Sequence, residues 1–206
     1  MKQFKALRIH ESDKAKEARL ETITLDQLNP DLVEDAVTIR VAYSCINYKD
    51  ALAVTGRGKI MRGFPKVAGI DLSGTVEASA SAAFKPGTRV LVTGCNVGEA
   101  LDGGLAEVAH VPASAVIPLP AGLTLREAMA LGTAGFTAAL GVRRMLENHL
   151  NPEMGPMAVT GPTGGVVLFG SHVPFGSRLH SERSRFCRSL LYPIYTAVPG
   201  CGNHVS

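Results

Sequence analysis

The chain has 206 residues, of which 46% are hydrophobic and 19% charged. This composition excludes fibrous and disordered chains and is typical of globular proteins. At roughly 150 residues per domain, the length allows one complete core but not two full domains. The formal net charge of +3 comes from residues 166–206, which hold four Arg and one Glu. No basic patch stands out before this tail, so we expect no nucleic-acid partner.

The first residues interleave charged side chains from Lys2 onward and lack the apolar segment of a secretory signal. The uncharged stretch 128–142 has 15 residues, fewer than the roughly 20 that span a bilayer. We therefore expect a buried helix there and no membrane partner. The cysteines at 45, 95, 187 and 201 form no C-x-x-C pair, which predicts free thiols in the cytoplasm.

Residues 4–9 and 20–25 alternate apolar and polar side chains, and the charged segment 11–17 separates them. This pattern predicts two strands joined by a loop. A third strand is predicted at 36–42, with Val37, Ile39 and Val41 on one face and Thr38 and Arg40 on the other. Frequent Gly and Pro follow, with a short apolar run at 89–92, and they predict a small barrel.

Thr124 and Glu127 have the spacing of a capping box and predict the start of a helix. Across 134–150, Phe136, Leu140 and Leu146 are placed to line one face of a packed helix. Residues 156–160 then form a short apolar run before Gly161, which predicts a buried strand entering a glycine turn.

Four segments are the most informative: NYKDAL from Asn47, FPKVAGIDLSGTV from Phe64, GCNVGEALDGGLAE from Gly94 and LGTAGFTAAL from Leu131. In this order they resemble the zinc-free acrylyl-CoA reductase and quinone oxidoreductase branch of the medium-chain dehydrogenase/reductase superfamily. The resemblance implies a mixed α/β fold, with a GroES-like β-barrel domain followed by the incomplete start of a Rossmann domain. It also implies a cleft between these domains for NADPH and a small-molecule substrate.

On this basis we expect the GroES-like catalytic domain, without its C-terminal return, over residues 1–125. The connecting helices, the first Rossmann strand and its glycine turn then occupy 126–166, and an aberrant tail occupies 167–206. In zinc-bearing relatives, the positions matching 47–50 and 69–71 hold a Cys ligand motif and Gly-His-Glu. Neither set is present here, so we expect no metal.

Without a metal, hydride transfer to an activated double bond needs hydrogen bonds at the carbonyl where negative charge builds. The resemblance implies that Tyr48 contacts the nicotinamide end of the cofactor and that Asn47 and Asp50 shape the floor of the active site. An alternative stays open, in which Asn47 and Asp50 only cap the following short helix. We interpret Lys49 as a solvated side chain.

The run VTGPTGGV, residues 159–166, resembles the dinucleotide fingerprint, in which glycine-turn amides approach the pyrophosphate. Thr163, Gly164, Gly165 and Val166 are therefore the expected cofactor-binding residues. The glycines between Gly98 and Gly104 either form a turn that closes the substrate cleft or belong to a plain hairpin loop, which is our interpretation. Cys45 and Cys95 lack a neighbouring base, so we interpret both as small buried apolar groups.

The family pattern stops after Val166, because Val167 stands where another glycine is expected and no long helix is legible. Arg183 and Arg185 either face the cofactor 2′-phosphate or belong to an unstructured basic tail, which is our interpretation. Too few residues follow to complete a Rossmann domain, which suggests a shifted reading frame, or a mis-spliced or misassembled gene.

The resemblance implies an NADPH-dependent oxidoreductase that reduces the activated C=C bond of an acrylyl-CoA-like thioester, or a quinone. Intact relatives are expected to be homodimers. The alternative is a noncatalytic fragment or binding module that does not bind the cofactor. Titration with NADPH discriminates between the two hypotheses.

Overall fold

The computed structural model describes residues 3–12, 15–32, 34–151, 154 and 163–166. This part of the chain contains both strands and helices, so the mixed α/β class is confirmed. The elements are β1 (Gln3–Glu11), β2 (Lys16–Thr24), β3 (Ala36–Ser44), α1 (Tyr48–Thr55), β4 (Lys66–Val67), β5 (Asp71–Ser79), β6 (Arg89–Thr93), β7 (Val108–Pro112), β8 (Ile117–Pro118) and α2 (Leu125–Glu147). Short 3-10 helices occupy Leu25–Gln27 and Ala113–Ala115.

The chain divides into two compact units. The first comprises Met1–Leu119 and Thr124–Gly132, and the second comprises Pro120–Leu123 and Thr133–Ser206. The described strands all lie in the first unit. The division falls inside α2, directly after Gly132, whose backbone (φ 49°, ψ −159°) is not helical.

The first unit contains two antiparallel sheets, with strand orders β2-β1-β4 and β7-β3-β5-β6-β8. The segment 105–107 joins them, because Leu7 N–H donates to the Leu105 carbonyl and Glu107 N–H donates to that of Lys5. On its other side, the Glu107 carbonyl accepts a hydrogen bond from Val41 N–H. These bonds connect β1 to β3 through one short segment, as the predicted small barrel requires.

The strands predicted at 4–9, 20–25 and 36–42 are confirmed, but β2 begins earlier than expected. The sequence places residues 11–17 in a loop, whereas Lys16 and Glu17 belong to β2 and pair with Glu11 and His10. Charged residues fit here because β2 is an edge strand whose residues, apart from buried Ile23, are exposed or half-buried. Its C-terminal end is also shifted, since Leu25 starts a 3-10 helix.

The predicted alternation of β3 is confirmed for Val37 and Ile39, which are fully buried, and for Arg40, which is exposed. Thr38 differs from the expectation, because it is buried on the opposite face. The cause is His110, whose Nδ1 lies 3.0 Å from Oγ1 of Thr38. His110 Nε2 donates to the Leu32 carbonyl at 3.1 Å, so this histidine has a structural role.

The capping box that predicts the start of α2 is confirmed. Thr124 N–H donates to Oε2 of Glu127 at 2.9 Å, and Glu127 N–H donates to Oγ1 of Thr124 at 3.2 Å. The predicted packed face further along α2 is wrong for Leu140 and Leu146, which are exposed. Ala138 and Ala139 are buried instead, because small side chains allow close packing.

Gly74 in β5 generates a prediction about stability. A Cβ atom there would lie 2.1 Å from the Arg40 carbonyl oxygen, and backbone cannot move aside without breaking the β3–β5 pairing. We expect Gly74→Ala to lower the free energy of unfolding by about 2 kcal/mol or more. Urea unfolding followed by circular dichroism measures it.

Gly141→Ala in α2 is the control, since a Cβ there meets no described atom within 4 Å. We expect this substitution to raise stability by up to about 1 kcal/mol, because alanine is the better helix former. Equal stability of Gly74→Ala and the wild type would contradict the packing argument.

Candidate active site

The first turn of α1 carries the three residues that the sequence predicts to be catalytic. Asn47 lies directly before the helix with extended backbone, and Tyr48 is the first helical residue. The reciprocal bonds of a capping box join Asn47 and Asp50, and Asn47 N–H donates to Oδ2 of Asp50 at 2.7 Å. The contacts therefore match the capping alternative. The chemical role of these residues stays a prediction.

Asp50 is almost completely buried, at 2% exposure. Its second oxygen, Oδ1, accepts a hydrogen bond from Ile70 N–H at 3.0 Å. Burial raises the pKa of Asp50, and the backbone donors at Asn47 and Ile70 act in the opposite direction. Because both oxygens have backbone partners, Asp50 holds the start of α1 against the residue before β5.

Asp71, the first residue of β5, is a second buried carboxylate, and the sequence analysis did not select it. Its Oδ2 accepts hydrogen bonds from Nδ2 of Asn47 and from Sγ of Cys45, each at 2.9 Å. The orientation of the Asn47 amide is therefore set by Asp71. The signal in the sequence is the triplet Gly69-Ile70-Asp71, which stands where zinc-bearing relatives hold Gly-His-Glu.

Gly132 of α2 lies directly against the side chains of Cys45 and Asp71. A Cβ atom at this position would lie 2.6 Å from Sγ of Cys45 and 2.8 Å from Oδ2 of Asp71. Its φ of +49° is also a conformation that residues with side chains rarely adopt. Glycine is therefore required where α2 passes the pair formed by Cys45 and Asp71.

Cys45 is partly buried and donates a hydrogen bond, so it is more than the small apolar group that the sequence suggests. Burial raises the pKa of Cys45, and the charge and hydrogen bond of Asp71 raise it further. The thiol thus stays protonated at neutral pH. Among the described residues, no three His, Cys, Asp or Glu side chains converge in a way that could hold a metal ion.

Two large side chains flank Asn47 and face solvent. Tyr48 is 81% exposed and Ile46 is 80% exposed. Together they present accessible apolar surface on both sides of Asn47. The Tyr48 ring and its phenol O–H are therefore accessible.

The glycines between Gly98 and Gly104 are explained by backbone packing. A Cβ at Gly98 would lie 2.5 Å from the carbonyl oxygen of Gly69, and one at Gly103 would lie 2.3 Å from that of Ala68. These contacts favour the interpretation as a plain loop. The same loop carries Glu99, which forms an ion pair with Lys49 at 2.7 Å, so Lys49 is not simply solvated.

Of the five predicted cofactor-binding residues, Tyr48 belongs to α1 and the other four lie in the second unit. Thr163, Gly164, Gly165 and Val166 are all exposed, and the backbone becomes helical at the last two. A Cβ at Gly165 would lie 3.3 Å from Cβ of Ala134. Backbone amides at a glycine turn are the donors that a pyrophosphate needs, and the cofactor-binding role of these residues stays a prediction.

Several predictions lie outside the described residues. They are the strand at 156–160, the departure from the family pattern at Val167, and the tail with Arg183 and Arg185. Cys187 and Cys201 also lie there.

Comparison with known proteins identifies the family. Residues 33–121 match the alcohol dehydrogenase GroES-like domain. The chain is 47% identical over 163 residues to the putative quinone oxidoreductase YhfP of Bacillus subtilis, covering 79% of this chain and 48% of the relative. It is 46% identical over 155 residues to the acrylyl-CoA reductase AcuI of Ruegeria pomeroyi, covering 75% and 47%.

The N-terminal part of the chain belongs to the medium-chain dehydrogenase/reductase superfamily. Its GroES-like domain is confirmed. The structure of the YhdH oxidoreductase of Salmonella enterica in complex with NADP matches with a TM-score of 0.76 and 44% identity, covering 81% of this chain and 50% of that one. The chain thus spans about half the length of these superfamily relatives. No helix in the described ranges is long and apolar enough to cross a membrane.

The two backbone bonds of Asp50 generate a prediction. Asp50→Ala leaves the buried amides of Asn47 and Ile70 without an acceptor, so we expect a loss of about 3 kcal/mol in the free energy of unfolding. Asp50→Asn keeps one acceptor and should lose less. The matched control is Glu127→Ala, which breaks the exposed capping box of α2 and should cost about 1 kcal/mol. Equal losses of unfolding free energy for Asp50→Ala and Glu127→Ala would contradict the prediction, because the buried Asp50 bonds would then stabilise the fold no more than the exposed capping box.

The raised pKa of Cys45 predicts slow alkylation, since only the thiolate reacts. We expect iodoacetamide to modify Cys45 slowly at pH 8, with a rate that still increases above pH 9. Asp71→Asn removes the neighbouring negative charge and should accelerate labelling by about tenfold per unit of lowered pKa. Peptide mass spectrometry measures each cysteine separately. Rapid labelling of wild-type Cys45 at pH 7 would disprove the protonated thiol.

Proposed function

We infer that this chain belongs to an NADPH-dependent oxidoreductase, which reduces the activated C=C bond of an acrylyl-CoA-like enoyl thioester or a quinone. The observation that carries the proposal is the first turn of α1, where exposed Tyr48 follows an Asn47 amide held by Asp71. The named activities of the superfamily relatives support it, since they are a putative quinone oxidoreductase and an acrylyl-CoA reductase.

We assign Tyr48 as the residue that contacts the reacting groups. Its phenol O–H is accessible, and it can donate a hydrogen bond to the substrate carbonyl oxygen as negative charge develops there. Its ring offers a flat apolar surface to the nicotinamide. Asn47 and Asp50 act as positioning residues, because their polar groups already bind Asp71, Ile70 and the helix start.

In the second unit, backbone amides of the turn at Thr163, Gly164, Gly165 and Val166 would hold the pyrophosphate of the cofactor. When bound, NADPH supplies a hydride to the substrate. A proton from solvent then completes the reduction, at the α-carbon of an enoyl thioester or at the oxygen of a quinone. We assign no metal to this reaction.

Titration of the purified chain with NADPH, followed by calorimetry, tests the proposal. We expect saturable binding and, with acrylyl-CoA or a quinone present, loss of NADPH absorbance. Tyr48→Phe removes the O–H but keeps the ring, so NADPH binding should persist while kcat falls by about 100-fold. The matched control is Tyr43→Phe in β3, which also alters a part-exposed tyrosine and should leave kcat unchanged.

If the chain does not bind NADPH, the noncatalytic alternative replaces this proposal. If Tyr48→Phe keeps the wild-type kcat, the role assigned to Tyr48 is wrong, but the proposed reductase function is not contradicted.

A further inference from the structure

Asp71 places a carboxylate directly beside the start of α1. It is completely buried, and its Oδ2 accepts hydrogen bonds from Nδ2 of Asn47 and Sγ of Cys45, each at 2.9 Å. Both of these donors are neutral groups, and a neutral amide oxygen could accept the same two bonds. Burying a carboxylate costs more free energy than burying an amide. These two hydrogen bonds therefore do not by themselves require a charged group at this position.

The carboxylate lies close to the accessible part of the candidate site. A Cβ atom at Gly132 would lie 2.8 Å from Oδ2 of Asp71, so α2 covers the carboxylate there without a side chain. Asn47 and Cys45 cover it elsewhere, and both are only partly buried. Tyr48 follows Asn47 and is 81% exposed. At Asn47, one side chain therefore lies between the carboxylate and the surface that carries Tyr48.

The charge of Asp71 acts on other groups around this helix start. Burial is the largest cause that raises the pKa of Cys45, and the charge of Asp71 raises it further. Burial also raises the pKa of Asp50, and the charge of Asp71 contributes in the same direction. Lys49, the cation of the same turn, is paired with Glu99 at 2.7 Å, which offsets its charge. The first turn of α1 therefore lies in the negative field of two buried carboxylates.

Such a field favours a cation. Hydride release turns the uncharged dihydronicotinamide ring of NADPH into the positively charged ring of NADP⁺, while the hydride passes to the substrate and a proton from solvent completes the reduction. The phosphates are the same in both forms of the cofactor, so the field distinguishes them by the charge of the ring. A fixed negative charge near the ring stabilises the positive charge that develops during hydride release.

We propose that the buried charge of Asp71 favours the oxidised, positively charged form of a nicotinamide ring bound at Tyr48, and so assists hydride release. Asp71 does not touch the cofactor, because its charge acts across the Asn47 side chain. The inference rests on the reductase function proposed above. It gives Asp71 an electrostatic role that is distinct from holding the Asn47 amide in place.

The test compares the dissociation constants of NADP⁺ and NADPH in calorimetric titrations of the full chain at pH 8. Asp71→Asn removes the charge but keeps an oxygen that can accept hydrogen bonds from Asn47 and Cys45. We expect the ratio of the NADP⁺ constant to the NADPH constant to rise by about tenfold in this variant. A purely structural role of Asp71 would weaken both forms equally and leave the ratio unchanged. Because the charge is buried, the shift should persist at high salt.

Asp50→Asn is a second variant, which removes the other buried charge of the turn and should raise the same ratio. If circular dichroism shows that Asp71→Asn does not fold, the ratio in Asp50→Asn decides. The matched control is Asp102→Asn. Asp102 is also a buried carboxylate, but it accepts hydrogen bonds from the amides of Val67 and Asn29 rather than from the start of α1. Its substitution should leave the ratio unchanged.

The outcomes separate this inference from the proposed function. An unchanged ratio in Asp71→Asn, or an equally large change in Asp102→Asn, overturns the role of the Asp71 charge and leaves the reductase function uncontradicted. A wild type that binds neither form of the cofactor overturns both.

Discussion

The candidate site depends on the direct contact of two backbone segments. Residues 67–72 and 98–105 approach so closely that Gly69, Gly98, Gly103 and Gly104 leave no space for a Cβ atom. Their amides and carbonyls are paired across this contact, for example Gly104 N–H with the Gly69 carbonyl at 2.8 Å. This packing fixes the position of the Ile70 amide, which binds Asp50 and so holds the start of α1.

A buried polar pair strengthens the same contact. The Asp102 carboxylate accepts hydrogen bonds from the amides of Val67 and Asn29, at 2.7 and 2.9 Å. In turn, Oδ1 of Asn29 accepts a hydrogen bond from Asp102 N–H at 2.8 Å. Buried carboxylates are tolerated when such donors replace water. Asp50, Asp71 and Asp102 all follow this rule, and each connects segments that are distant in the sequence.

The sequence predicts the parts of the fold that local patterns determine. Alternation reveals β1 and β3, and the pair Thr124 and Glu127 marks the start of α2. The edge strand β2 is harder to predict, because its charged residues resemble those of a loop. The sequence also does not reveal which face of α2 is buried, since the buried positions in its second half carry alanine rather than leucine. Asn47 and Asp50 are found by resemblance, but their pairing with Asp71 and Ile70 depends on tertiary contacts.

The break of α2 at Gly132 determines where the chain is best divided into fragments. The first turns of the helix belong to the barrel unit, where the Leu125 carbonyl accepts a hydrogen bond from Ser73 Oγ and Ala128, Met129 and Leu131 are buried. A fragment cut before these residues would expose apolar surface and leave the Ser73 hydroxyl unpaired. The smallest autonomous version of the barrel therefore carries the beginning of the helix with it, and a recombination junction is best tolerated just beyond the glycine.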